Sequence, residues 1–407
     1  MKKSFKLQLI ALVMISVLLP CFAQSSQKNQ APKEFVIHHI GDITGPYASI
    51  TGAAGAYSAP DSEKYFNENG GLKGVKIRIV MHDTSNKRDV ALAKYAEIAA
   101  SKPALIILHQ SSDMEILKER LQEDKIPVLG FSPTPKTIWP KGWIFQILPP
   151  YQDQFAFFID WLRTNWKKEG TIRMAFVNPD YSYGHSIFSP ETEKYMKEKG
   201  IEVVAKEFFP PHDMDATTQM SRVAKTKPDV IYSMTIATQP RVILKSAETV
   251  GLVGEVLFGM GCWGMDRGGA AVAGRLMEGV VGVQPFWVPY DTKRPIVKHF
   301  VDDFIKKGRP PEQITMAYAG FILVNAIAID ALSKTIDRVG WDKLEGQEVY
   351  NTLEETKNYD TRGLQPFMFT EGTRSSAIAR IVKIENGDVV PLSDWSNCPD
   401  MRPAEYK

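Results

Sequence analysis

The hexapeptide Gly259-Met260-Gly261-Cys262-Trp263-Gly264 has the spacing of a dinucleotide-binding turn, in which glycines let the backbone approach a pyrophosphate. It lies late in the chain, and the Gly268-Gly269 that follows is a poor helix start. The expectation is a glycine-rich turn that brings Trp263 near a ligand, without a nucleotide site. The seven histidines show no metal-ligand spacing. His38 and His39 are neighbours on a predicted strand, face opposite sides and cannot chelate one ion. His82, His109 and His185 follow predicted strand ends, where ligand contact is open to them, and are expected to be solvated loop residues. Gly130-Phe131-Ser132 lacks the closing glycine of a nucleophile elbow. Cys262 has no base visible in the sequence, there is no phosphate-binding P-loop motif, and no carboxylates form a recognisable acid–base pair. No catalytic residue, cofactor or metal is assigned, and the chain is expected not to be an enzyme.

Hydroxyls at strand ends are what the chain offers instead. Residues 35–58 open with the apolar Phe35-Val36-Ile37 and break at Gly41, Gly45, Pro46 and Gly52, which reads as a strand running into a loop. Thr44, Tyr47, Ser49 and Thr51 place hydroxyls there. A helix is expected over 57–69, with Pro60 kinking it or delaying its start. A strand, a loop and a helix form the opening unit of an α/β domain, and ligands sit where such strands end because free backbone N–H groups point there.

The same unit recurs. A strand at 75–81 and a helix at 88–101 precede 103–108, a continuous apolar run typical of a parallel sheet buried on both faces. Its loop is His109-Gln110-Ser111-Ser112, with Ser112 expected to cap a helix to about 123. Strands at 126–131 and 143–148 follow, the first with the loop Ser132-Pro133-Thr134-Pro135-Lys136. A second alternating series of strands and helices runs from 151 to 259, which predicts a second doubly wound unit. Lys102-Pro103-Ala104-Leu105-Ile106 and Lys227-Pro228-Asp229-Val230-Ile231 echo one another across the halves. Further on come a strand at 279–286, helices at 295–307, 315–333 and 341–356, and short strands with an Asn386-Gly387 hairpin turn.

Lys2, Lys3 and Lys6 precede an apolar stretch at 7–19 that is too short to span a bilayer and suits a cleavable export signal ending at Ala23. Lipidation at Cys21 ranks second, because Pro20 occupies the place of a small residue. Loss of this leader, with its three lysines and no acids, takes the formal charge from +2 to −1. A near-neutral exported protein is not built to hold nucleic acid or anionic membrane. No later apolar run is expected to be long enough for a membrane span. The length of 407 residues suits two domains. Cys262 and Cys398 remain after cleavage, and pairing or two free thiols are equally compatible with the sequence.

Several short strings then combine. Thr44-Gly45-Pro46 follows the first strand, Phe66-Asn67-x-x-Gly70-Gly71-Leu72-x-Gly74 ends the first helix, and Ser111-Ser112, Ser132-Pro133, Tyr183-Gly184 and Lys227-Pro228-Asp229 follow. With these, the chain resembles a periplasmic solute-binding protein of the branched-chain amino acid and amide type, which serves an ABC importer. The resemblance runs from about 35 to 386. It implies the type I periplasmic binding protein fold, α/β, with two Rossmann-like doubly wound lobes joined by a three-segment hinge. Lobe 1 is expected at 35–150 and 286–362, lobe 2 at 151–285 and 363–407, after a signal peptide at 1–23 and a disordered linker at 24–34. The crossings are expected at 148–152, 284–287 and 361–365.

In such proteins lobe 1 holds a ligand carboxylate or amide, and Gln110, Ser111, Ser112 and Thr134 match or adjoin those positions. Tyr183 and the Thr235-Ile236 region match lobe 2 contacts that close over the ligand. Two departures matter. Relatives that bind α-amino acids carry a carboxylate after the 256–259 strand, where this chain has Gly261, and Lys136 stands where threonine is frequent. Losing an anion and gaining a cation favours an acid over a zwitterion. Trp263, Tyr47, Tyr183 and Tyr318 are placed to stack on a flat ligand. The expected ligand is a small carboxylate, aromatic in the sharper form of the reading. The alternatives are a branched-chain or other hydrophobic amino acid or an amide, with Asp180 or Asp266 replacing the missing acid, and a sensor role for a separate signalling partner. The expected partners are a small-molecule ligand and membrane permease subunits, with the protein a periplasmic monomer.

Overall fold

The computed structural model describes residues 31–370 and 374–406. The expected export signal, Cys21 and residues 24–30 of the expected linker lie outside the described residues. Glu34, expected in that linker, already pairs in the first strand.

Two parallel-stranded sheets form two lobes. The first contains β1 (Glu34–Gly41), β2 (Lys76–Asp83), β3 (Ile106–Leu108), β4 (Val128–Gly130) and β5 (Ile144–Gln146), in the order β2-β1-β3-β4-β5. The second contains β6 (Ile172–Pro179), β7 (Ile201–Phe209), β8 (Val230–Ser233), β9 (Leu257–Met260) and β10 (Val281–Gln284), all parallel. Its far edge is antiparallel: β11 (Ile378–Glu385) pairs with β10, β12 (Asp388–Pro391) and β13 (Ser396–Asn397). The turn between β11 and β12 is Asn386-Gly387, both at positive φ, as a two-residue hairpin requires. In the first sheet the strand order reverses direction between β1 and β3, and in the second between β6 and β8. A crevice opens at such a switch because the helices leave the strands to opposite faces.

Helix Ala48–Glu68 starts nine residues earlier than expected and carries Pro60 within it. Its first half carries Thr51, Gly52 and Gly55, which have weak intrinsic helix preference. Burial of Ile50, Ala54 and Ala59 and packing against helix Met316–Val339 outweigh that. That second helix has 24 residues and is long and apolar enough to cross a membrane, contrary to the sequence expectation. Within its most apolar window 89% of the residues are buried, so it is the central core helix of the first lobe. Another expectation fails at Gly268-Gly269, which do begin a helix, Arg267–Ala273. Asp266 makes this possible by accepting the free N–H groups of Gly268 and Gly269.

Between the lobes, the chain passes from β5 into helix Tyr151–Asn165, which packs on the second sheet. Trp287 N–H donates to Gln365 Oε1 and Gln365 Nε2 donates to Pro285 O, both at 2.8 Å, so the segments expected as second and third crossings lie side by side. The last passage comes later than 361–365. Gln146 of β5 binds the backbone of Arg374 and Ser376, and entry into the second sheet follows at Ile378. Cys262 and Cys398 are buried free thiols.

Candidate functional site

The loops after β1, β3 and β4 face those after β6, β8 and β9 across a cavity of about 270 Å³. On the first lobe, the buried Asp42 carboxylate folds the loop after β1 by accepting from Gly45 N–H at 2.6 Å and Tyr47 N–H at 2.9 Å. Gln110 Oε1 accepts from Asp42 N–H at 3.0 Å and ties the next loop to it. Tyr47, Gln110, Ser111 and Ser112 all reach the cavity wall. Helix Ser111–Glu123 begins two residues earlier than expected, with Gln110 rather than Ser112 at the N-cap and no side chain capping it. Ser112 is thus the second helical residue rather than the cap. The first-turn N–H groups and two hydroxyls are presented together, an arrangement that suits an oxyanion.

Two carboxylates temper this polarity. Asp113 is buried, its Oδ2 has no partner among the described residues, and burial pushes its pKa up to about 6. Glu115 lines the cavity and accepts from Thr134 Oγ1 at 3.1 Å. No lysine or arginine is among the lining residues.

Aromatic rings build the second-lobe side. Tyr181 and Tyr183 follow β6, and Trp263 follows β9. Asn178 holds the β6 loop by donating to Gly184 O at 2.7 Å and accepting from Met234 N–H at 3.0 Å. Trp263 Nε1 donates to Tyr151 OH at 2.9 Å, and Tyr151 meets Tyr183 edge-on at 4.7 Å. Burial raises the hydroxyl pKa values of Tyr151, Tyr181 and Tyr183, which keeps these groups neutral. Burial also pushes the Cys262 thiol up to about 12, so it is no nucleophile at neutral pH. Gly261 is closely approached: a Cβ there would lie 2.6 Å from Met234 Sδ and 2.7 Å from Tyr183 OH, so a side chain would displace one or both.

Other expected residues lie elsewhere. Thr134 and Lys136 line a neighbouring chamber rather than the cavity. Thr235 is fully buried with Oγ1 against Met260 Sδ, while the next residue, Ile236, reaches the wall. Tyr318 is buried and donates to Asp61 at 2.7 Å, so it cannot stack on a ligand in the cavity. Neither carboxylate offered as an ammonium partner lines the cavity. Asp180 is exposed and pairs with His185 Nε2 at 2.7 Å. Asp266 is fully buried, and its oxygens accept from Gly268, Gly269 and, across the lobes, Met316 N–H at 2.5 Å.

Sequence reasoning placed His109 in solvent, but it is buried at the cavity wall. His39 Nε2 faces Asn325 Oδ1 at 2.9 Å, and His39 Nδ1 faces His109 Nε2 at 3.1 Å. Asn325 Nδ2 donates to Phe321 O, which fixes the amide and makes both histidine Nε2 atoms donors. Burial holds His39 down to about 4 and holds His109 well below its ordinary value, so both rings are neutral. On the opposite face of the sheet His38 and His82 pair at 3.0 Å, half-buried rather than solvated. Tyr151, Tyr181, Ser132 and Phe321 also line the cavity and were not singled out. The strand-end position of Ser132 was a usable signal, whereas Phe321 sits inside a long apolar helix that shows no such mark.

A sequence model described as periplasmic binding protein matches residues 36–388. No curated protein sequence matches the chain. Among solved structures, a branched chain amino acid ABC transporter protein from Thermus thermophilus with bound valine superposes with a TM-score of 0.78 at 19% identity, covering 93% of this chain and 98% of that one. A fatty acid ABC transporter substrate-binding protein from Thermomonospora curvata gives 0.75 at 19% identity, covering 91% and 94%. A solute-binding protein of an ABC transporter from Rhodopseudomonas palustris BisB5, in complex with 3,4-dihydroxy benzoic acid, gives 0.75 at 19% identity, covering 91% and 99%. These identities speak for a shared fold, while the family match runs through both sheets and the loops that meet between them: the chain belongs to the periplasmic binding protein family.

Proposed function

We propose that this protein is the extracytoplasmic solute-binding component of an ABC importer and captures a small carboxylate-bearing ligand, aromatic in the sharper form, by closure of its two lobes. The observation that carries this reading is the cavity itself. A helix start with open N–H groups faces a wall of tyrosines and tryptophan, with a closely approached glycine and no acid at residue 261. Micromolar capture needs about −8 kcal/mol. A helix N-terminus contributes about 0.3–1 kcal/mol to an anion. Burying about 150 Å² of an aromatic ring at about 25 cal/mol per Å² contributes about 4 kcal/mol, so apolar burial dominates and the helix start orients. The structural neighbours named above are described with valine, fatty acid and dihydroxybenzoic acid, all of them acids. Export by a cleaved leader and docking on permease subunits complete the role.

A second reading, a hydrophobic amino acid, is favoured by one feature. Glu115 is a carboxylate at the cavity wall that an ammonium group can meet. Calorimetry with leucine, benzoate-type acids and short amides separates the two. Tight leucine binding without benzoate binding overturns the acid reading, and mass spectrometry of co-purifying small molecules tests both.

A further inference from the structure

Beside the cavity lies a second chamber of about 380 Å³ that shares Glu115, Tyr181 and Ser182 with it as walls. Its first-lobe side is Thr134, Pro135 and Lys136, and its second-lobe side includes His185, Ser186 and Phe188. Small-molecule sites usually occupy about 300–1,000 Å³, so the inner cavity alone sits at the lower limit. With the chamber included, the space falls well inside that range.

The two compartments differ in charge. The inner one has no cation among its lining residues, whereas the outer one has Lys136. Lys136 rides on the short helix Pro135–Ile138, whose start is capped by Thr134 and whose backbone is anchored where Lys118 Nζ binds Lys136 O at 2.9 Å and Trp139 O at 2.8 Å. The base is therefore rigid, while the Lys136 ammonium has no hydrogen-bond or ion-pair partner among the described residues. Across the chamber His185 is held by Asp180 and stacks on Phe208 at 4.1 Å. Glu115 lines both compartments and repels an anion lodged beside it. Negative groups are thus favoured at the two ends, the start of helix Ser111–Glu123 inside and Lys136 outside, with a neutral ring between.

We propose that the outer chamber is a second ligand subsite, which takes the distal anionic group of an elongated acid whose ring occupies the inner cavity. This rests on the acid reading above and adds the length and the second charge of the ligand.

The test is calorimetry on the full exported chain with four probes. These are benzoate, benzene-1,4-dicarboxylate, 3-(4-carboxyphenyl)propanoate and 4-(aminomethyl)benzoate. At least one two-ended acid is expected to bind about tenfold or more tighter than benzoate, the scale of one charge-assisted contact, with the aminomethyl compound gaining nothing. In Lys136→Ala the ratio of dicarboxylate to benzoate affinity is expected to fall about tenfold, and Lys136→Arg is expected to restore it. Lys136 is exposed, so both variants are expected to fold, with thermal melts as the check. If benzoate binds and neither dicarboxylate gains, or if Lys136→Ala leaves the ratio unchanged, the second subsite is refuted and the acid reading stands. If the aminomethyl compound binds best, the outer charge assignment is wrong. If none of the four binds, both proposals fall.

Discussion

The two walls of the cleft are built by different means. The first-lobe wall is polar and built by backbone: Asp42, Gln110 and the start of helix Ser111–Glu123 fix N–H groups through hydrogen bonds made within the lobe. The second-lobe wall is a set of neutral rings whose positions depend on one another, Trp263 on Tyr151 and Tyr151 on Tyr183. A polar wall can be set before a ligand arrives because its partners are local. A ring wall gains its energy only when a ligand excludes water from it. Under the proposed function, orientation belongs to the first lobe and grip to the second.

Trp263→Ala should break the comparison most severely. Removing a buried indole and leaving Tyr151 OH with only Ser132 Oγ at 3.4 Å is expected to lower stability by about 3 kcal/mol and to weaken any aromatic ligand by about 100-fold, read by urea melts and calorimetry. The next test addresses the polar wall. The folded-state pKa of Asp113, about 6, lies above its ordinary 3.8, so the folded state binds the proton more tightly. Its contribution to stability is fully present below about pH 4 and is lost as pH rises through about 6, a change of about 2–3 kcal/mol. Asp113→Asn is expected to remove that dependence; identical pH profiles for variant and parent would refute it. Asp266 joins the walls, since it caps helix Arg267–Ala273 in one lobe and the start of Met316–Val339 in the other. Asp266→Ala strands those N–H groups at a cost of about 2 kcal/mol, and the less closed average shape should be visible in solution scattering. The smallest change sharpens the ligand class. Glu115→Gln is expected to tighten an acid by about fivefold, about 1 kcal/mol, and to weaken an amino acid by a similar factor.

Much of the fold was legible because local rules and the final structure agree. Apolar runs at Ile106–Leu108 and Val230–Ser233 are strands buried on both faces, and Asn386-Gly387 is a hairpin turn. The misses share a cause. Helix Ala48–Glu68 absorbed glycines and a proline because a neighbouring helix packs on it, and Met316–Val339 has the composition of a membrane span because it is core on nearly every side. His109 looked like a loop residue, yet its ring is enclosed by Phe321, Phe131 and His39, which come from distant parts of the chain.

The order of strands and helices, the loops available to a ligand and the lack of a catalytic motif were written in the sequence, since each depends on neighbours a few residues apart. Which of those loops share a wall was decided only by tertiary structure. Ser112 and Thr134 were expected to act on one ligand group, but the fold sets them in adjoining compartments that share Glu115 as a wall. Such divisions arise from the angle between packed lobes and from the room left around Gly261, and these are set by contacts between residues far apart along the chain.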